Sequence, residues 1–366
     1  MYTEFSVQNF QGFRNLELKD IKRVNLIGGK NNVGKTSLLE ALMIYTGKYR
    51  TVYYGLNTVA LTEDIQREYM TGLPRVYSRN GDLHRWDSLF FNFDIENEIN
   101  FVGDGFPSNM LPSFDNLRIS LETVSSFDMN SLANYRFIRA LEDTDFAKLE
   151  QIIKFERPTH NTIYLIKDGK YLLTSDILNQ PIPSQAVRSQ STVESRDTKA
   201  HFSKLKQEKS MKILIDALQI IEPRLINVDL LSDGIYVDIE GMSQLIPLTS
   251  MGEGMSRIAS IVLTMANVRD GLVVIDEVEN GLHFSVQEKL WKVIANIAHQ
   301  FNVQVFATTH SLEMIRAAQQ AFAETPDDDF RYYRLDRDAE TNDPVAVKYS
   351  QKTMAAAVEM GYEVRG

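Results

Sequence analysis

The amino-acid sequence predicts an α/β protein: a mixed sheet flanked by helices, interrupted by an inserted α+β lobe. Three observations predict this fold. Near the N-terminus an apolar strand runs into a glycine-rich loop and a helix, and in the final third apolar strands alternate with helical patterns. Between them the sequence alternates as antiparallel strands do. We therefore assign residues 1–47 and 224–366 to the core and residues 48–223 to the lobe.

The composition allows such a core and excludes several other classes. The 366 residues are 43% apolar, which is enough for a large domain with a lobe. The net charge is −10, so DNA is a possible partner that the charge balance does not indicate. Without cysteine there are no disulfides or thiolate zinc sites. No signal peptide or membrane-length apolar run is present, so we expect a cytoplasmic protein with no membrane partner.

The N-terminal region predicts strands, a loop and a helix in that order. Residues 3–27 predict two or three short strands, the last being the buried run Arg23–Ile27. Apolar residues then recur at helical spacing from Leu38 to Tyr45 and stop before Gly47. A loop that lies between a buried strand and a helix is the setting in which phosphate groups are bound.

The loop itself carries the residues that phosphate binding needs. Its glycines allow successive N–H groups to point at phosphate oxygens, and the following helix presents its positive end. Lys35 supplies a cation for the β- and γ-phosphates, and the Thr36 hydroxyl is placed to ligate Mg²⁺. We therefore predict a P-loop NTPase fold that binds ATP and Mg²⁺, with these candidate binding residues: Gly29, Asn31, Asn32, Gly34, Lys35 and Thr36.

The middle of the chain predicts an antiparallel subdomain with a helical insertion. A strand pair is predicted at Thr162–Ile166 and Tyr171–Leu173. Residues 181–198 are rich in Ser, Gln, Pro and charge, which predicts an exposed, flexible linker. A helix is predicted from Lys199 to Ile221, before Pro223.

The final third predicts strands at 235–239, 272–275 and 303–307, with helices at 253–268 and 285–300. The second strand ends in Asp276 and Glu277, and ligands bind at the carboxyl ends of parallel strands. We expect Asp276 to hold Mg²⁺ and Glu277 to polarise the attacking water. The alternative is an ordinary solvated turn.

Two further features point to the same chemistry. His310 follows the third strand, where it can donate a hydrogen bond to a γ-phosphate, although lone histidines are more often structural. The small residues Ser250, Gly252 and Gly254 open a helix, which makes either a second anion site or only a helix cap. For His283 we favour a structural role.

Taken in order, these motifs resemble the ABC-type ATPases of the RecF, SMC and OLD group, most closely the stand-alone AAA15-like ATPases of bacteria. The segment Phe5–Phe13 resembles the N-terminal strand signature of that group, Ser250–Gly254 its ABC signature and Glu279–His283 its D-loop. Asp276 and Glu277 resemble Walker B with the catalytic glutamate, and His310 resembles the switch histidine. Gln66 is a Q-loop candidate by order alone, so we do not assign it to the site.

The resemblance implies a homodimer in which the signature of one subunit completes the nucleotide site of the other. It leaves three roles open: a DNA-repair ATPase of the RecF and SMC kind, a defence or toxin-like ATPase working with a separate nuclease or effector, and a nucleotide-gated scaffold without turnover. DNA binding would need a basic surface, for which Lys204, Lys206, Lys209 and Lys212 are candidates. A helix that bears lysines is usually only a solvated face.

Overall fold

The computed structural model describes residues 1–46, 89–104, 114–123, 151–157, 160–167, 170–175, 182–189, 196–323, 329–360 and 364. In chain order its strands are β1 (Glu4–Phe10), β2 (Phe13–Lys19), β3 (Val24–Gly29), β4 (Ile99–Asp104), β5 (Phe114–Thr123), β6 (Gln151–Arg157), β7 (His160–Lys167), β8 (Lys170–Ser175), β9 (Ser184–Val187), β10 (Leu225–Leu230), β11 (Ile235–Ile239), β12 (Ile246–Pro247), β13 (Leu272–Ile275), β14 (Gln304–Thr308), β15 (Phe330–Arg337) and β16 (Pro344–Tyr349). Its helices are α1 (Lys35–Tyr45), α2 (Arg196–Gln207), α3 (Met211–Leu218), α4 (Glu253–Asn267), α5 (Phe284–Gln300), α6 (Leu312–Ala323) and α7 (Gln351–Glu359).

A six-stranded mixed sheet forms the centre, in the order β16-β15-β3-β14-β13-β9. Strands β15, β3, β14, β13 and β9 are parallel, and β16 pairs antiparallel with β15 at one edge. Every residue of β3, β13 and β14 is buried, as expected for parallel strands covered on both faces. The carboxyl ends of these strands therefore meet at one edge of the sheet. The predicted α/β class with a mixed, helix-flanked sheet is confirmed.

A second, antiparallel sheet has the order β2-β1-β4-β5-β6-β7-β8. Helix α1 packs between the two sheets, where apolar residues of β1 and β4 meet its buried face in one core. Tyr45 at the end of α1 contacts Tyr2 and Phe5, with ring centroids 5.4 Å and 5.3 Å apart. The helix that follows the phosphate loop is thereby fixed on both sides.

The opposite face of the mixed sheet is covered by helices. Helices α2 to α6 share a core there with the small antiparallel sheet β10-β11-β12. Trp291 on α5 lies in this core, and its indole N–H donates to the Met314 carbonyl at 3.3 Å. The helix that begins at the Ser250 cluster, α4, is almost wholly buried along its length. Its first turn is therefore held rigidly relative to the sheet.

Several predicted elements are confirmed and others differ. The pair β7 and β8 is antiparallel as predicted. The segment 181–198, predicted to be a linker, contains β9, which joins the parallel sheet because its backbone pairs with β13. The helix predicted over Lys199–Ile221 is two helices, since Lys209 adopts a φ of 55° between them. Strand β11 lies in the small antiparallel sheet rather than in the mixed sheet.

Several contacts cross the predicted division into core and lobe. Strand β9 and helices α2 and α3, which we assigned to the lobe, share one apolar core with residues of the segments 1–47 and 224–366. Conversely, β1 and β2 from the predicted core pair with the lobe strand β4 in the antiparallel sheet. The order of elements in the sequence does not reveal these contacts, because each segment pairs or packs with strands that lie far from it in the chain.

Candidate functional site

The candidate site lies at the edge where β3, β13 and β14 end. The loop Gly29–Thr36 follows β3, the carboxylates follow β13, and His310 follows β14. Because β14 lies between β3 and β13, the three sets of residues are brought to one place by the strand order. The structure thus brings the predicted loop, carboxylate and histidine residues together at one edge of the sheet.

The loop is shaped by two glycines with left-handed backbone angles. Gly29 has a φ of 136° and Gly34 a φ of 104°, angles that residues other than glycine rarely adopt. A Cβ on Gly34 would lie 2.7 Å from the ring of Phe13, and one on Gly29 would lie 2.5 Å from the Leu335 carbonyl oxygen. Asn32 also has a positive φ, of 62°. The loop therefore turns tightly into α1, whose first N–H groups have no capping side chain.

Lys35 is folded back onto the loop. Its Nζ donates to the carbonyls of Gly29 at 2.7 Å and Lys30 at 2.8 Å. Burial lowers the pKa of Lys35, and the nearby carboxylates of Glu279, Asp276 and Glu277 oppose that shift. A cation held by carbonyls beside three acids is ready to exchange those contacts for phosphate oxygens.

Thr308 connects the Asp276 carboxylate to the backbone of Glu277. Its hydroxyl donates to Asp276 Oδ1 at 2.7 Å and accepts from the Glu277 backbone N–H at 2.9 Å. Thr36 Oγ1 lies 3.5 Å from the same Asp276 oxygen. Thr36 and Asp276, the predicted metal residues, are therefore adjacent, as the Mg²⁺ assignment requires.

Glu277 has a φ of 48°, which is an unfavourable angle for a residue with a side chain. Its backbone is held on both sides, by Thr308 at the N–H and by Arg257 at the carbonyl, 2.9 Å away. Arg257 is 3% exposed, and its guanidinium also donates to the carbonyls of Asp276 and Arg188. The surroundings thus enforce a strained conformation at the residue predicted to polarise water.

His310 faces the same carboxylates. Its Nδ1 is 3.9 Å from Glu277 Oε1, and its Nε2 is 3.7 Å from Glu279 Oε1. The His310 backbone N–H donates to that Glu279 oxygen at 2.9 Å, which fixes the loop carrying the histidine. The side chain is 45% exposed. His310 is therefore anchored through its backbone while its ring can reach a ligand.

The signature residues form the start of α4. Ser250 lies in the 3-10 turn Leu248–Met251, and Gly252 precedes α4 with a φ of 96°. A Cβ on Gly254 would lie 2.9 Å from the Gly281 carbonyl oxygen, so this turn packs against the Glu279–His283 stretch of its own chain. Among the hydrogen bonds of the described residues, none joins Ser250 to the phosphate loop. The contacts of the described residues join the signature turn to the stretch after the carboxylates and not to the phosphate loop.

His283 caps a helix, in agreement with the structural role we favoured. Its Nδ1 accepts from the Ser285 N–H at the start of α5 and lies 2.9 Å from the Ser285 hydroxyl.

Gln66 lies outside the described residues. The lysine candidates for DNA binding are partly engaged: Lys206 pairs with Asp229 at 2.8 Å, and Lys204 reaches the Asn267 carbonyl at 3.4 Å.

Three residues of this site were missed from the sequence: Thr308, Arg257 and Glu279. Thr308 had a visible signal, because a hydroxyl at the last position of a strand stands next to the neighbouring strand's end. Arg257, a lone charge within the apolar run of α4, also had one, because buried charges need specific partners. Glu279 had none, since a third acid in an acidic turn is most often only solvated.

Within the described ranges, no group of three or more His, Asp and Glu side chains is arranged to hold a metal unaided. None of the described helices is both long and apolar enough to cross a bilayer.

Comparison with known proteins gives a family match and distant relatives. The family described as "AAA domain, putative AbiEii toxin, Type IV TA system" matches residues 24–316. A Helicobacter pylori protein named "ATP/GTP phosphatase" is 24% identical over 348 residues, covering 88% of this chain and 89% of that protein. An uncharacterised Methanocaldococcus jannaschii protein is 42% identical over 45 residues, covering 12% of this chain and 20% of its own length.

Two solved SMC structures resemble the chain over most of its length. An SMC head bound to the C-terminal winged-helix domain of ScpA has a TM-score of 0.48 at 11% identity, covering 96% of this chain and 98% of that one. The SMC head domain from Thermotoga maritima has a TM-score of 0.43 at 12% identity, covering 95% and 98%.

Proposed function

The chain belongs to the family of AAA-domain proteins whose model matches residues 24–316, and we propose on this basis that it binds ATP on the loop Gly29–Thr36. With Mg²⁺ it hydrolyses the bond to the γ-phosphate. The observation that carries the proposal is the convergence of Lys35, Thr36, Asp276, Glu277 and His310 at one edge of the sheet. The Helicobacter pylori relative named "ATP/GTP phosphatase" supports nucleotide hydrolysis.

The loop supplies the binding energy for the phosphates. Backbone N–H groups at the start of α1 lack intrahelical partners and attract an anion, and Lys35 adds a full charge. Lys35 would leave the Gly29 and Lys30 carbonyls to do so, which exchanges neutral acceptors for charged ones. Affinity should therefore depend strongly on Lys35.

Thr36 and Asp276 fit Mg²⁺, because both offer the oxygen ligands that this ion prefers and lie 3.5 Å apart. A site with few protein ligands is what Mg²⁺ uses when phosphates and water complete its shell. The bound ion would neutralise charge on the β- and γ-phosphate oxygens. Thr308 orients Asp276 for this task by its hydrogen bond to Oδ1.

Glu277 would accept a hydrogen bond from the attacking water and direct it in line with the bond to be broken. Its backbone strain is maintained by Thr308 and Arg257, so the carboxylate is placed before substrate arrives. His310 would donate a hydrogen bond to the γ-phosphate as charge develops there. The role of Glu279 would be to hold the His310 backbone in position.

The acting form that we propose is a homodimer. Ser250 and Gly252 are exposed in a turn at the start of a helix, whose backbone N–H groups could form a second anion-binding site. A second copy arranged head to tail would place its Ser250 turn on the γ-phosphate. Dimerisation would then depend on ATP.

The test is ATP turnover, nucleotide binding and mass measured together on three variants. Glu277→Gln should bind ATP, lose turnover by a factor of about 100 or more and accumulate as a dimer. Lys35→Ala should lose binding. Glu288→Gln, which removes an exposed acid paired with Lys292 on α5, is the matched control and should behave as wild type.

The outcomes separate the parts of the proposal. Wild-type turnover by Glu277→Gln would remove Glu277 from the mechanism. ATP binding without turnover in the wild type would leave the nucleotide-gated scaffold. A Glu277→Gln protein that binds ATP and stays monomeric would overturn the dimer while leaving the site intact.

For the biological role we propose a toxin–antitoxin or related bacterial defence system acting with a separate partner protein. The family description, which names a type IV toxin–antitoxin system, favours this role over DNA repair. The engaged contacts of Lys204 and Lys206 weaken the case for a basic DNA-binding face. DNA-stimulated turnover that falls steeply with salt would favour DNA binding instead.

A further inference from the structure

Strand order assigns the two ends of a bound nucleotide to opposite sides of the phosphate loop. Strand β3 leads into the loop, with β14 on one side and β15 on the other. The hydrolytic residues Glu277 and His310 follow β13 and β14. The γ-phosphate must therefore lie on the β14 side, and the nucleoside must leave the loop towards β15.

Strand β15 ends at that place with an arginine. Leu335 of β15 pairs with Gly29, so the end of β15 reaches the start of the phosphate loop. Arg337, the last residue of β15, donates from Nη2 to the carbonyl of Asn32 at 3.0 Å. An exposed guanidinium thus lies against the loop on the nucleoside side.

A structured turn holds this guanidinium. Arg337 Nη1 donates to the Asn342 carbonyl at 2.8 Å, and Asn342 has a φ of 59°. Asp338 fixes the turn, because its carboxylate accepts the backbone N–H groups of Glu340 and Thr341 at 3.0 Å and 2.9 Å. The guanidinium is therefore bound at its edge by two backbone carbonyls.

An arginine bound at its edge keeps its planar faces available. A guanidinium face stacks on flat aromatic rings, and a purine base offers such a ring. Nearby, Arg14 pairs with Asp343 of the same turn at 3.5 Å and already stacks over the Phe91 ring, with its Cζ 5.4 Å from the ring centroid. Arg14 is thus occupied, whereas Arg337 is exposed and its hydrogen bonds to described residues lie at the edge of the guanidinium, not on its faces.

We propose that Arg337 is the nucleobase contact of this site, stacking its guanidinium face on the purine of the bound nucleotide. The inference rests on the proposed nucleotide-binding function. Because both purines present the same kind of aromatic face, this contact strengthens binding without selecting between adenine and guanine.

The test compares ligands with and without a base. Binding of ADP, GDP and inorganic pyrophosphate, each with Mg²⁺, is measured by calorimetry. These ligands lack the γ-phosphate, so the proposed hydrolysis does not interfere. Arg337→Ala should weaken ADP and GDP alike, by about threefold to thirtyfold, the range expected for a guanidinium stacked on an aromatic ring. Pyrophosphate binding should be unchanged. Arg337→Lys should resemble Arg337→Ala, because lysine keeps the charge and loses the planar face.

The controls separate this proposal from a bracing role and from the function it rests on. Arg224→Ala removes an exposed arginine paired with Glu222 and should leave all three ligands unaffected. Equal losses for pyrophosphate and ADP in Arg337→Ala would make Arg337 a brace of the loop and overturn the inference. Unchanged ADP binding in that variant would overturn it too. Failure of the wild type to bind ADP and pyrophosphate would instead refute the nucleotide site itself.

Discussion

Thr308→Val is the substitution that tests most sharply how the two Walker B carboxylates are positioned. Thr308 is fully buried, and valine has nearly the same shape without the hydroxyl. The change removes the bond to Asp276 Oδ1 at 2.7 Å and leaves the Glu277 N–H, 2.9 Å away, without its acceptor. A charge-assisted bond contributes about 1.5–3 kcal/mol and a neutral one about 1 kcal/mol. Because the partners Asp276 and Glu277 are only partly buried, water can replace part of these bonds, and we expect a loss of about 2–3 kcal/mol.

The loss should appear in stability and in turnover, but not in nucleotide binding measured without Mg²⁺. A loss of that size lowers Tm by about 3–4 °C in a protein of 366 residues. Turnover should fall by about tenfold to a hundredfold, the cost of misplacing reacting groups by about 1 Å. Binding of nucleotide without Mg²⁺ should change little, since Lys35 and the loop are untouched. Thr308→Ser keeps the hydroxyl and is the matched control. Equal kcat and Tm in the Val and Ser variants would refute the positioning role of the hydroxyl.

Three further predictions concern the loop and the helix behind it. Gly34→Ala should lose ATP binding, because a φ of 104° and the Phe13 ring at 2.7 Å both oppose a side chain; binding as tight as wild type would contradict that geometry. Burial lowers the pKa of Lys35, so kcat/KM should decline with rising pH below the ordinary lysine value of about 10.4, and a profile that is flat to that pH would argue against it. Burial raises the pKa of Tyr45 to about 12, so the unfolded state ionises first and stability falls as pH rises from about 10 to 12, by about 3 kcal/mol. Tyr45→Phe should lessen that alkaline loss in unfolding experiments, and an identical loss in wild type and variant would exclude Tyr45 as its source.

The local elements of the fold could be predicted because their signals are local. The strand, loop and helix at residues 24–45 follow from apolar spacing and two glycines, and the structure has them where predicted. The partners of β9 and β11 could not be predicted in this way. A four-residue strand such as β9 has too few residues for a pattern, and its place depends on the edge that β13 leaves open. Pairing between distant strands is decided by the whole sheet.

The candidate site shows the same division. The spacing of the motifs predicts roles for Lys35, Thr36, Asp276 and Glu277. The ATPase class predicted from these motifs is confirmed by the family match. Arg257 acts from the second turn of α4 on the end of β13, 19 and 20 residues further along the chain. Glu279 acts through the backbone of His310. No motif spacing in the sequence predicts either contact, because the fold alone brings these residues close to their partners.

Arg257 also links two regions that sequence motifs treat as separate. It lies on α4, the helix that begins at the signature turn, and its guanidinium holds the carbonyls of Asp276 and Glu277. The Gly254–Gly281 approach joins the same helix to the turn after those carboxylates. A movement of the signature turn would therefore act on the backbone at Glu277, whose φ of 48° lies in an unfavourable region. In the homodimer that we propose, contact at Ser250 with the partner's nucleotide would act along α4 on the chain's own catalytic carboxylate, so that the two sites would not be independent.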